Sequence, residues 1–136
     1  MDLRNNGGGS LIEAVELTGL FIEQGPVLQV RSTSGEIEVE KDTDSSIAWT
    51  GPLAVLVNRS SASASEIFAS AIQDYGRGLI IGEPTFGKGT VQTLVELDKL
   101  FKTEHDKDQQ FGQLKMTIAQ FFRIDGGTTQ NAAVTP

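Results

Sequence analysis

Cysteine is absent from this chain of 136 residues, which excludes disulfides and thiolate-held metals and leaves the redox compartment open. Histidine occurs once, as His105 in the charged stretch Lys102-Thr-Glu-His-Asp-Lys107, where a solvated side chain is the ordinary outcome. A Ser-His-Asp triad therefore has little to draw on. No run approaches the roughly eighteen apolar residues of a membrane helix, and the opening MDLRNNGGGS has neither the basic nor the apolar region of a signal peptide. Lys and Arg number 11 against 18 Asp and Glu, a net charge of −7, and they are scattered, so nucleic acid is not the expected partner.

What remains is enough for one ordinary domain. Hydrophobic residues make up 38% of the chain, and a domain of this size buries about two thirds of its unfolded surface. Asp2-Leu3-Arg4 runs into a glycine-rich turn with almost no strand before it, and the chain stops at Val134-Thr135-Pro136 without a terminating element. Both ends read as cuts in a longer protein.

Ser10 and Glu13 form a capping box, and the apolar residues from Leu11 to Ile22 recur at helical spacing until Gly25-Pro26, which predicts a helix of about four turns. The alternating runs Val27–Arg31 and Glu36–Glu40 around Ser34-Gly35 predict a β-hairpin, followed by a surface loop over Lys41–Ser46. Pro52–Asn58 is an apolar run suited to a buried strand, a helix follows from about Ser63 to Tyr75, and Gly78–Gly82 reads as a second buried strand. Strand, helix and strand in this order predict a parallel βαβ crossover. Thr90–Leu97 alternates as a strand, Asp98–Gln110 reads as a charged loop, and Gln113–Ile124 is a long strand with Leu114, Met116, Ile118, Phe122 and Ile124 on one face.

Three segments hold the residue types that catalysis uses. The tract Asn58-Arg-Ser-Ser-Ala-Ser-Ala-Ser-Glu66 puts Ser60, Ser61, Ser63 and Ser65 where a buried strand turns into a helix, beside unpaired amides suited to an oxyanion. Ser63 with Glu66 is equally a capping box, and a serine at a helix start is usually only a cap. A lysine serves as base when burial lowers its pKa from about 10.4 toward 7 to 8, and Lys88, in Gly82-Glu-Pro-Thr-Phe-Gly-Lys-Gly89, is the best placed. That segment also nearly spells a phosphate-binding P-loop, but Gly89 stands where Ser or Thr should ligate Mg²⁺ and a strand follows instead of a helix. The third segment, Asp2–Ser10, is a glycine cradle ahead of a capped helix, able to offer amides to an anion or to remain a plain loop.

Taken together, DLRNNGGGSL, GPLAVLVNRSSASASEIFASAIQDYGRGLIIGEPTFGKGTVQ and GQLKMTIAQFFRIDGGTTQNAAVTP closely resemble the catalytic domain of the tail-specific, or C-terminal processing, proteases. The resemblance implies an α/β, crotonase-like (ClpP-like) twisted sheet with packed helices, and a serine endopeptidase working by acyl transfer through a Ser-Lys pair. Carried over residue by residue, it makes Ser63 the nucleophile, Lys88 the base and Gln92 the residue that orients the lysine amine. It implies an oxyanion hole from the Ala64 amide with Gly8 or Gly9, and supporting roles for Asp74, Glu66 and Thr85. No metal or cofactor is required. The implied partners are proteins or peptides with apolar C-terminal tails, and the implied setting is the periplasm or another exported compartment of bacteria. The PDZ-type and N-terminal helical regions that accompany the family's core have no counterpart in residues 1–136, and open sheet edges would favour self-association. The alternatives are a catalytically silent peptide-binding scaffold and a P-loop-like nucleotide binder.

Overall fold

The computed structural model describes residues 1–101 and 110–136. The hairpin forms where the alternation places it: β1 (Gly25–Ser32) pairs antiparallel with β2 (Ile37–Asp42). Gly35, at φ +90°, donates to Ser32 O at 3.0 Å and closes the turn. β2 takes in Lys41 and Asp42, which sequence reading gave to the loop.

The βαβ unit is also present, as β3 (Ala54–Val57), α2 (Ala64–Asp74) and β4 (Leu79–Gly82), with β3 and β4 parallel from Ala54↔Leu79 to Val57↔Gly82. Gly76, at φ +59°, follows the helix end. The chain start adds to this sheet: Leu3 N donates to Leu56 O at 2.9 Å and Leu56 N to Met1 O at 3.0 Å, so even this short stub pairs with β3.

β5 (Thr90–Glu96) and β6 (Gln113–Phe122) complete a four-stranded antiparallel sheet in the order β2-β1-β6-β5. Between the two sheets runs α2, buried continuously from Ser65 to Ile72. Its Ile67 and Ala71, one turn apart, pack with Val27, Leu28 and Phe121 of the larger sheet and with Ala14 and Val15. Phe68, Ala69 and Ile72 pack with Val55, Val57, Leu3 and Val134. A helix placed between two sheets buries both of its faces, and the polar residues that α2 buries there, Ser65, Glu66 and Ser70, all have hydrogen-bond partners.

Four further expectations differ from the structure. The first helix, α1 (Leu11–Gly19), has 9 residues instead of about four turns. Its continuation is pre-empted because Leu20 O accepts the Ala48 and Trp49 amides and Phe21 O accepts Arg77 Nε at 2.8 Å. The Asp98–Gln110 stretch opens with a single helical turn, α3 (Asp98–Phe101), and His105 lies outside the described residues. β4 is open instead of buried, with Leu79 69% exposed, because nothing among the described residues covers its outer face. Finally, β6 ends at Phe122; its residues 113–118, Leu114, Met116 and Ile118 included, are exposed on both faces, and the core takes Phe121 beyond a register shift opposite Val91/Gln92.

Candidate active site

Residues that reach the head of α2 converge from three distant segments. Of the four serines, Ser61 is consumed by structure: its hydroxyl donates to Leu3 O at 2.7 Å and accepts Asn58 N–H at 3.0 Å. Ser65 donates to Asn6 O at 3.1 Å, and Ser60 is exposed away from the cleft. Ser63 alone of the four lines a cleft of about 470 Å³, which it shares with Gly8, Gly9, Ala64, Lys88 and Gln92.

The backbone at Ser63 has φ +57° and ψ −115°, a conformation that costs a non-glycine residue about 1–3 kcal/mol and persists only where the surroundings fix it. Here a carboxylate fixes it. Glu66, fully buried, accepts the Ser63 N–H on Oε2 at 2.8 Å and the Lys88 N–H on the same oxygen at 2.9 Å. Its Oε1 accepts Thr85 Oγ1–H at 2.6 Å and Gly87 N–H at 2.8 Å. Four donors offset the cost of burying a charge there. The Ser63 hydroxyl reaches the Glu66 amide only loosely and closes no cap hydrogen bond; that amide donates to Ser63 O at 2.8 Å. The capping box expected from the sequence is therefore present, held chiefly by the Glu66 carboxylate on the Ser63 amide.

The Lys88 loop is clamped from its other side. Thr85 and Val134 exchange hydrogen bonds, Gly89 N–H donates to Gln130 Oε1 at 2.8 Å, and Asn131 N–H donates to Gly87 O at 3.0 Å. Because the amides of Gly87, Lys88 and Gly89 all have protein acceptors, the loop offers no phosphate cradle, and β5 follows it in place of a helix. The P-loop alternative fails on both counts.

Lys88 is half-buried and Nζ donates to Thr90 O at 2.8 Å; there is no Lys88–Ser63 hydrogen bond. Burial pushes its amine below the ordinary 10.5, the Lys115 charge adds to the fall, and Glu66 opposes both. Gln92 stands exposed on the cleft wall.

The glycine cradle meets the serine turn closely. A β-carbon on Gly8, at φ +100°, would stand 2.6 Å from Ala62 O and 2.8 Å from the Ser63 β-carbon. Gly8 N–H donates to Asn6 Oδ1 at 2.9 Å, whereas the Gly9 and Ala64 amides have no acceptor among the described residues. Asp74 is not in the cleft. It lies at the far end of α2, where its carboxylate pairs with Arg123, which also donates to Gln73 Oε1 at 2.9 Å.

Two groups escaped sequence reading. Arg77 clamps the carbonyls of Phe21, Trp49 and Gly51, and Lys115 of β6 lines the cleft beside Lys88. Strand register carries the signal for Lys115, and register is set by long-range pairing.

The chain belongs to Peptidase family S41, whose description matches residues 1–136. It is 54% identical over 131 residues to a tail-specific protease of Haemophilus influenzae, covering 96% of this chain and 18% of that protein. It is 43% identical over 98 residues to the chloroplastic carboxyl-terminal-processing peptidase 2 of Arabidopsis thaliana, covering 71% of this chain and 19% of that one. Among solved structures, a photosystem II D1 C-terminal processing protease matches with a TM-score of 0.81 and 35% identity, covering 99% of this chain and 32% of the other. The chain spans about a fifth of the length of those two curated relatives.

Proposed function

We propose that this chain is the catalytic core of a serine endopeptidase that cleaves peptide bonds by acyl transfer through Ser63 and Lys88. The observation that carries the reading is the single Glu66 oxygen shared by the Ser63 and Lys88 amides, which ties a candidate nucleophile to a candidate base. Neutral Lys88 uses one N–H on Thr90 O and keeps its lone pair for the Ser63 proton. As Ser63 Oγ bonds to the peptide carbonyl, the oxyanion rests on the Ala64 and Gly9 amides, Gly8 being taken by Asn6. Collapse breaks the C–N bond and the lysine ammonium returns its proton to the leaving amine. Lys88 then deprotonates a water that releases the acyl group and restores Ser63. Gln92 orients the lysine amine from the cleft wall.

The finer parts of the reading come from family likeness. They are a crotonase-like fold, substrates chosen by apolar C-terminal tails, an exported or periplasmic setting, self-association through open sheet edges, and a place as the core domain of a larger protein. Among the described residues no helix is long and apolar enough to cross a membrane. A silent peptide-binding scaffold is the rival reading, favoured by the direction of Lys88 Nζ toward Thr90 O. The test is cleavage of an unstructured protein with an apolar C-terminus by the full-length protein, its Ser63→Ala and Lys88→Ala variants, and labelling of Ser63 by a serine-directed acylating probe. Turnover lost in both variants with Ser63 labelled supports the peptidase; no turnover and no labelling in the unmodified protein supports the scaffold.

A further inference from the structure

The cleft carries two lysines and no carboxylate on its walls, in a chain whose net charge is −7. Glu66, directly behind Ser63, is sealed off by its four donors. Lys88 is committed to Thr90 O and to the chemistry of Ser63, which needs it neutral. Lys115 has no such commitment: it is exposed, and among the described residues no carboxylate stands within ion-pair distance of it. Among the described residues Arg4 pairs with Asp2, Lys99 with Glu96 and Arg123 with Asp74, all outside the cleft.

The strand register places Lys115. Gln92 lies opposite Thr117 and Leu94 opposite Lys115, so the lysine stands one alternation beyond Gln92 on the same wall, about 7 Å further along the sheet. A peptide laid extended across Ser63 also repeats its same-side side chains every 7 Å or so. A cation one such step from Gln92 on the cleft wall meets the substrate to one side of the bond being broken, at a position that the peptide series below identifies. Resting on the peptidase reading above, we propose that Lys115 is a specificity-determining residue that holds a carboxylate of the bound peptide at that position.

An acidic side chain and the terminal carboxylate of a short tail offer the same chemistry, and peptides amidated or free at their C-terminus separate them. The experiment uses the full-length protein and peptides in which one Glu, or Gln in its place, is moved through each position around the cleaved bond. Expected is a Glu-over-Gln preference in kcat/KM on the order of fivefold at one position, shrinking as salt rises. If only free-acid peptides show it, the terminal carboxylate is the ligand, and the assignment of Lys115 stands. Lys115→Arg should keep the preference, Lys115→Gln should bring it to one, and Lys115→Glu should invert it toward a Lys-bearing peptide. The same ratio measured as affinity on Ser63→Ala reads recognition without turnover. A ratio of one at every position and both termini in the unmodified protein, or a ratio that survives Lys115→Glu, overturns the proposal. Cleavage persisting in Ser63→Ala strikes the peptidase reading instead.

Discussion

The backbone amides of Ser63 and Lys88 donate to one atom, Oε2 of Glu66, at 2.8 and 2.9 Å. A buried carboxylate in this position sets the spacing of two loops without touching the cleft. The pairing is charge-assisted, and the lone pairs left on Oε1 are filled by Thr85 and Gly87.

Glu66→Gln keeps the shape and removes the charge, and whichever oxygen becomes the amide nitrogen then faces N–H or O–H donors. Loss of hydrogen bonds to a buried charge predicts destabilisation of about 3 kcal/mol, read by chemical denaturation. Turnover should fall more than tenfold, because the Ser63 turn and the Lys88 loop lose their common anchor. A variant with unchanged stability would mean that the four donors find other acceptors.

Lys88 titrates below the ordinary 10.5, from burial first and Lys115 second. Rising pH therefore increases the neutral base, so kcat/KM should climb with unit slope and level off below pH 10.5. The folded state binds fewer protons on Lys88 than the unfolded state between its lowered value and 10.5, so its contribution to stability rises with pH across that window. Lys115→Gln removes part of the shift and should move the acid limb to higher pH. A limb that stays put would assign it to another group.

Gly8 and Gly9 are neighbours with opposite tolerances. Gly8→Ala places a β-carbon 2.6 Å from Ala62 O at φ +100°, predicting a loss of about 2–4 kcal/mol. Gly9→Ala meets nothing within 4 Å and should stay within about 1 kcal/mol of the parent. Denaturation midpoints of the two variants check the contrast, and equal losses would mean that the cradle shifts as a unit.

Much of this was legible in the chain. Local signals were enough for the hairpin, where Ser34-Gly35 interrupts two alternating runs, and for the βαβ unit, where Gly76 marks the helix end. The site residues converge on the cleft except Asp74, Glu66 and Thr85, which stand behind or away from it. What local pattern missed depends on partners far along the chain. Arg77 and the 45–50 loop truncate α1, Lys115 enters the cleft through β5–β6 register, and Leu114, Met116 and Ile118 stay exposed because they lie before the part of β6 that packs into the core at Phe121. Among the four serines local pattern left the choice open and the family resemblance singled out Ser63; that Leu3 O and Asn6 O occupy Ser61 and Ser65 lay beyond local pattern.

Those two carbonyls belong to the first six residues, while the serines that bind them come more than fifty positions later, and Thr85, Gly87 and Lys88 later still. Contacts of such sequence separation form late, since loop-closure entropy must be met before they bring any return. The hydroxyl of Ser63 consequently gains its setting only after Lys88 has left the ribosome and the chain has closed upon itself. A chain that stops short of that point holds Ser63 without the loop that Glu66 ties to it.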